Sequence, residues 1–301
     1  MLTNQSKANG ATFLDYLQVQ RQRVDAELSA ALDAQGKGEK IVEASRYSLM
    51  LPSKRLRPLL CLEVSRALSG ADQAAMPAAL ALEMIHSYSL VHDDLPCMDN
   101  DDLRRGMPTN HKVYGDGTAT LVGDGLLTLA FEVLASAGSV SDATRVAWTK
   151  ELAIAAGIRG MVLGQQWDME TVRESSVQAL EALHRRKTGA LIASSAAMGA
   201  IAAGASKEVI DSVRQFALDL GLAFQIRDDI LDVIGGAEIG KPLKSDERNQ
   251  KPTYVSVLGL ERAKEVADEW ATRCLTQLRA IEFKFENRLE DFARFVIERK
   301  V

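Results

Sequence analysis

No proline occurs from residue 109 to residue 241, a span in which apolar residues keep returning at helical steps. Proline removes an amide donor and clashes with the preceding turn, so its absence leaves long continuous helices open. Extended structure is poorly supplied: aromatic residues make up 5% of the chain, and alternating runs of Val, Ile and Thr are missing. In residues 14–32, Leu14, Leu17, Val24, Leu28 and Leu32 stand among Gln, Arg, Asp and Glu with the spacing of one helix face. The same pattern predicts helices over 38–51, 57–68, 74–94, 119–137, 141–163, 177–204, 207–233, 253–278 and 287–298, with breaks at Gly70, at Gly115 and Gly117, and at Gly235 and Gly236. No linker, repeat or shift in composition divides the chain. The expectation is one all-α domain over residues 1–301.

The longest uncharged stretch, residues 188–206, consists largely of Ala, Gly and Ser. That composition reads as a buried helix whose neighbours approach closely, not as a bilayer span. Residues 1–14 are polar, with Asn4, Gln5, Ser6 and Lys7 where a secretory leader needs an apolar core. Three widely spaced cysteines, Cys61, Cys97 and Cys274, give neither a disulfide framework nor a structural zinc site. A cytoplasmic location is expected. A net charge of -5 offers no basic excess for nucleic acid. Any phosphate-bearing ligand must therefore be met by local lysines, arginines and metal ions.

Chemistry concentrates in two acidic clusters, each following a long apolar helix. The first runs Asp93-Asp94-Leu95-Pro96-Cys97-Met98-Asp99, followed by Asp101, Asp102, Arg104, Arg105 and Gly106; the second is Asp228-Asp229-Ile230-Leu231-Asp232. Asp228 and Asp232 stand four apart, one turn from each other on one face. Pro96 should end the first helix and let the chain turn so that Asp99 faces the same ions as Asp93. Crowded carboxylates need a compensating cation, and oxygen-only ligands favour Mg²⁺, which keeps waters and bridges to phosphates. Arg104 and Arg105 supply fork-shaped donors suited to phosphate oxygens.

Other motifs fail. The segment from Gly235 to Gly240 and Lys241 nearly matches a phosphate-binding P-loop, but Pro242 replaces the hydroxyl residue, and the run before it reads as helix. The acidic run at Asp99 lacks the calcium-loop glycine, and the four histidines form no tight metal pair.

With these motifs in place, the chain resembles the trans-isoprenyl diphosphate synthases, in the bacterial farnesyl diphosphate synthase form, from about residue 14 to the C-terminus. The two aspartate clusters carry the likeness, together with Lys54-Arg55-Leu56-Arg57-Pro58, Gly164-Gln165-Gln166-Trp167-Asp168, Lys187-Thr188, Phe224-Gln225 and Lys251-Pro252-Thr253-Tyr254. The resemblance implies an all-α bundle around a deep cavity, a homodimer, and Mg²⁺, three ions in number. It implies Asp93, Asp99 and Asp228 as direct metal ligands, with Asp94, Asp229 and Asp232 in supporting positions. Arg104, Lys187 and Lys241 would hold an allylic diphosphate, with Lys251 also contacting substrate. Lys54, Arg57, His86 and Arg105 would hold the diphosphate of isopentenyl diphosphate. Thr188 and Gln225 would line the place where a carbocation develops. Helical periodicity alone makes Tyr88 core packing, but its family position, five residues before the first motif and beside Ser89, makes it the cavity floor that stops growth at fifteen carbons. The chemistry implied is ionisation, condensation and elimination; the alternatives are a geranylgeranyl or other short-chain synthase, or a catalytically silent modulatory subunit. Two departures stand out: Pro52-Ser53 replaces the usual Gly-Gly before Lys54, and Pro242 follows Lys241 where the family often has another glycine.

Overall fold

The computed structural model describes residues 12–170, 176–239 and 251–298. It is a bundle of helices: α1 Phe13–Asp33, α2 Lys40–Leu49, α3 Leu56–Ser69, α4 Met76–Asp93, α5 Asn110–Tyr114, α6 Asp116–Ala135, α7 Asp142–Ala156, α8 Met161–Met169, α9 Val177–His184, α10 Ala190–Ala202, α11 Lys207–Ile239, α12 Tyr254–Leu258, α13 Leu260–Arg279 and α14 Leu289–Ile297. Local chemistry sets several boundaries. Thr12 and Asp15 close a capping box at the start of α1, and Ser141 caps α7 through the Thr144 amide. Gly70, at φ +79°, ends α3 in the left-handed conformation open to glycine.

α4 is buried nearly all round, with α3, α6 and α10 packed against it. α10 is the Ala-Gly-Ser helix, and its small residues do what their size suggests. A Cβ on Gly199 would stand 2.2 Å from the carbonyl oxygen of Cys61, so the α3 and α10 backbones approach at a distance only glycine allows. The fully buried Trp148 locks α7 to the same helix by donating its indole N–H to the Met198 carbonyl at 2.9 Å. The 3₁₀ turn and α4 together (Gln73–Asp93), and α6, are long and apolar enough to cross a membrane, but α4 is a core helix here.

Four predicted boundaries need correction. The helix over 141–163 is two helices, α7 and α8, because a Cβ at Gly160 would lie 2.0 Å from the Ala155 carbonyl, where the chain folds on itself. The helix over 253–278 divides at Gly259, which sits at φ +78°. The helix over 177–204 is interrupted by a π-helical turn, Arg185–Gly189. Conversely, α11 runs through Gly235 and Gly236 to Ile239; glycine costs a helix only about 1 kcal/mol and does not oblige it to stop. The sequence pattern also carries no sign of the hairpin after the first acidic cluster, where Leu103–Arg104 pairs antiparallel with Met107–Pro108. Arg105 and Gly106, at φ +55° and +79°, form its two-residue turn, with the double left-handed geometry that matches strand twist.

Candidate active site

α4 is buried along most of its length to Val91 and ends at Asp93, three residues before Pro96. The chain then folds back, and the Asp99 amide donates to the Asp93 carbonyl at 2.9 Å. This brings two carboxylates of the first cluster together despite their six-residue separation. α8 supplies a third. Lys187 Nζ donates to Asp168 Oδ2 at 2.6 Å, and Lys251 Nζ reaches the same oxygen at 2.8 Å. Lys251 also donates to Asp99 Oδ1 at 2.9 Å, and Lys187 lies 4.0 Å from Asp93. The Gln165 amide donates to the Asp93 carboxylate. Burial raises the pKa of Asp93 to about 6, with the Asp99 and Asp168 charges adding to it and Lys187 and Arg104 opposing. Asp168 moves the other way: burial would raise it, but Lys187 and Lys251 together hold it below the ordinary carboxylate range.

The lysine of α9's extension is aimed by backbone geometry. Lys187 and Thr188 lie in the π-helical turn, a local widening often found at functional sites. α8 can approach this turn only through Gly164, where a Cβ would stand 2.2 Å from the Lys187 amide nitrogen. Trp167, one turn further along α8, stacks under the Arg186 guanidinium at 4.5 Å. From the turn a chain of hydrogen bonds reaches the second acidic cluster. The Thr188 hydroxyl donates to Gln225 Oε1 at 3.3 Å, and the Gln225 amide donates to Asp229 Oδ1 at 3.2 Å. Asp229 also accepts from the Tyr254 amide at 2.8 Å, which ties it to the start of α12. Asp228 and Asp232 are half-buried on the same stretch of α11. Asp94 is buried and paired with Arg104, which also lies 3.7 Å from Asp101. Lys241 lies outside the described residues.

A basic pocket adjoins this acidic one. Arg55 is buried, adopts φ +49°, and gives its guanidinium to Asp25 at 2.7 Å, Glu83 at 2.7 Å and the Leu49 carbonyl at 2.8 Å. Its amide donates to the Ser53 hydroxyl at 3.3 Å, so the residue replacing the family's glycine helps hold the turn before α3. Lys54 is exposed beside it. Arg57 has no partner for Nε among the described residues, and burial with repulsion from Arg105 pushes its pKa down to about 10 against the pull of Glu83. His86 is held well below its usual value by burial and by Arg57, Arg105, Arg104 and Arg55. Cations crowded in this way, with a buried donor unmet among the described residues, suit an anion.

On α4, Tyr88 is 8% exposed and meets the His92 ring edge-on, with centroids 5.8 Å apart. His92 Nε2 lies 2.9 Å from the Thr120 carbonyl, and a Cβ at Gly123 would collide with this ring at 1.9 Å. His92 thereby fills the gap between α4 and α6, and Tyr88 packs against its ring. The Ser89 hydroxyl donates to the His86 carbonyl at 2.8 Å.

Among the described residues no three His, Cys, Asp or Glu side chains close into a metal cage. An open, oxygen-only donor set fits Mg²⁺, which completes its shell with water and ligand phosphate, and does not fit zinc. The sequence by itself assigns no role to Asp168, Gln165 or Arg55. Asp168 and Gln165 stand in a motif that carries the family likeness, but only the fold shows that they face the first cluster.

Residues 38–286 match the polyprenyl synthetase family, and the chain belongs to that family. It is 47% identical over 254 residues to a farnesyl diphosphate synthase of Geobacillus stearothermophilus, covering 83% of this chain and 86% of that one. It is 44% identical over 282 residues to the chloroplastic heterodimeric geranylgeranyl pyrophosphate synthase large subunit 1 of Arabidopsis thaliana, covering 91% and 76%. Its fold matches a Helicobacter pylori geranyltransferase solved with magnesium and isoprenyl diphosphate, at TM-score 0.80 and 33% identity over 97% of this chain and 98% of that one.

If the basic pocket is an anion site, Arg57→Ala should weaken diphosphate binding there. Losing a charged hydrogen bond costs about 1.5–3 kcal/mol, or roughly ten- to a hundred-fold in affinity. Calorimetric titration with isopentenyl diphosphate reads this directly, and unchanged affinity would remove Arg57 from the site.

Proposed function

We propose that this protein is a Mg²⁺-dependent prenyltransferase that condenses isopentenyl diphosphate with dimethylallyl and geranyl diphosphate to give farnesyl diphosphate. The observation that carries it is the juxtaposition of an acidic pocket holding two lysines with a basic pocket holding a buried arginine donor unmet among the described residues. One site suits a metal-bound diphosphate and the other a diphosphate held by cations alone. The reading treats residues 1–301 as one catalytic domain.

Asp93, Asp99 and Asp228, supported by Asp94, Asp229 and Asp232, would hold the Mg²⁺ ions, three by the family resemblance. Bound there, Mg²⁺ neutralises charge on a departing diphosphate. Lys187, Lys251, Arg104 and Lys241 bind and orient the same diphosphate. Lys54, Arg57, His86 and Arg105 hold the second substrate so that its double bond faces the allylic carbon. The Thr188 hydroxyl and the Gln225 amide place fixed dipoles beside the reacting carbon. His86, kept neutral, offers a hydrogen bond without adding a further charge to its pocket. Tyr88 forms the cavity floor. A synthase of longer product is the second reading, favoured by the likeness to a geranylgeranyl pyrophosphate synthase subunit.

Leu121 of α6, Val146 and Ile154 of α7, Ile158 in the turn that follows and Val162 of α8 are exposed, Ile158 by 81%. A second copy of the chain is the proposed cover for these apolar side chains, and free Cys61 and Cys274, both buried, suit a reducing cytoplasm. Light scattering should give twice the 32.8 kDa chain mass, and a monomer at working concentration would refute the pairing.

Asp93→Ala should nearly abolish turnover while far-UV circular dichroism is unchanged, because removing one carboxylate relieves repulsion. Excess chelator should stop the reaction and Mg²⁺ restore it; activity persisting in chelator would sink the metal mechanism. Tyr88→Ala should open the floor and lengthen the product to twenty carbons or more, at a stability cost of roughly 3 kcal/mol. Chromatography of the products decides it: a folded variant that still stops at fifteen carbons places the floor elsewhere.

A further inference from the structure

His184 and Tyr254 belong to different segments and meet as stacked rings, centroids 5.8 Å apart and planes 25° from parallel. Both nitrogens of His184 and the hydroxyl of Tyr254 are inaccessible to solvent and have no hydrogen-bond partner among the described residues. Burial lowers the His184 pKa to about 4, so the ring is neutral. Two aliphatic side chains would fill the same space without stranding three polar atoms. What two aromatic planes supply, and an aliphatic pair does not, is a flat contact of fixed orientation.

The position of the stack gives that contact a use. His184 stands three residues before Lys187, at the entrance to the π-helical turn. Tyr254 stands three residues after Lys251, at the start of α12, where Thr253 and Ser256 close a capping box. The two lysines converge on one oxygen of Asp168, at 2.6 and 2.8 Å. Tyr254 is itself immobilised: its ring is buried with Leu180, Ile226 and Ile230, and its amide is bound to Asp229. We propose that the His184–Tyr254 stack is a positioning pair that fixes the separation of Lys187 and Lys251, so that both ammonium groups meet the same diphosphate. This rests on the prenyltransferase reading only for the identity of that anion.

The test uses the full-length chain and calorimetric binding of inorganic diphosphate in Mg²⁺, beside melting temperatures without ligand. His184→Ala and Tyr254→Ala should each weaken diphosphate binding about ten-fold, the usual scale for a lost supporting contact, with isopentenyl diphosphate affinity unchanged. His184→Phe and Tyr254→Phe keep the stack and delete the stranded polar atoms, so they should bind as wild type and melt at or above its temperature. In a Lys187→Ala background, His184→Ala should add no further loss. Wild-type diphosphate affinity in the alanine variants, equal losses in the phenylalanine variants, or a full extra loss in the Lys187→Ala background would each overturn the proposal. Where an alanine variant does not fold, the leucine variant, which fills space without stacking, is read the same way. A wild-type protein that binds diphosphate but elongates nothing would sink the prenyltransferase reading and leave the positioning pair standing.

Discussion

Two ammonium groups share a single carboxylate oxygen, that of Asp168, and the rest of the site is arranged around that contact. It joins three parts of the chain that are distant in sequence: α8, the π-helical turn and the segment leading into α12. In a partly desolvated pocket Asp93, Asp99 and Asp168 would repel one another strongly without cations between them. Lys187 and Lys251 provide those cations in the unliganded protein. On the proposed function, binding of a diphosphate there exchanges partners rather than building a site. The neighbouring pocket leans the other way: burial and neighbouring arginines hold Arg57 and Arg105 below their ordinary values, against the pull of Glu83.

α4 gives both pockets a common frame. His86 and Asp93 are seven residues apart, two turns on one face, about 10.5 Å along the axis. Tyr88 lies between them in sequence and packs against His92, the ring that meets α6. One rigid, buried helix therefore carries a group of the basic pocket, the proposed floor and the first acidic residue. Its burial by α3, α6 and α10 keeps those three in fixed register.

Much of this was legible in the sequence because it depends on local pattern. The apolar run of α4, the small-residue run of α10 and the turn imposed by Pro96 each derive from spacing or from one residue's chemistry. The two aspartate clusters were legible because paired acids on apolar helices demand a cation. Other features depend on tertiary neighbours and leave little local trace. Gly157 to Gly160 break a helix because the chain folds back there, whereas Gly235 and Gly236 interrupt nothing. Asp168 gains its meaning only when α8 lies against the π-helical turn. Arg55 looks like one more basic residue of its motif, yet its charge is spent on Asp25 and Glu83, holding the turn that presents its neighbours.

The π-helical turn at Arg185–Gly189 carries a further consequence as a phase shifter between two helices. Each residue in an α-helix advances the chain by about 100° around its axis. A turn wound wider than its neighbours offsets the angular register of α10 relative to α9. Here that offset lets Leu180 of α9 join one apolar cluster while Ala196 and Met198 of α10 join another. Lys187 and Thr188 fall in the seam between the two faces. Shortening the seam by one residue would leave every side chain in place along the sequence and misdirect all of them on one side of it, so this stretch tolerates substitution far better than deletion.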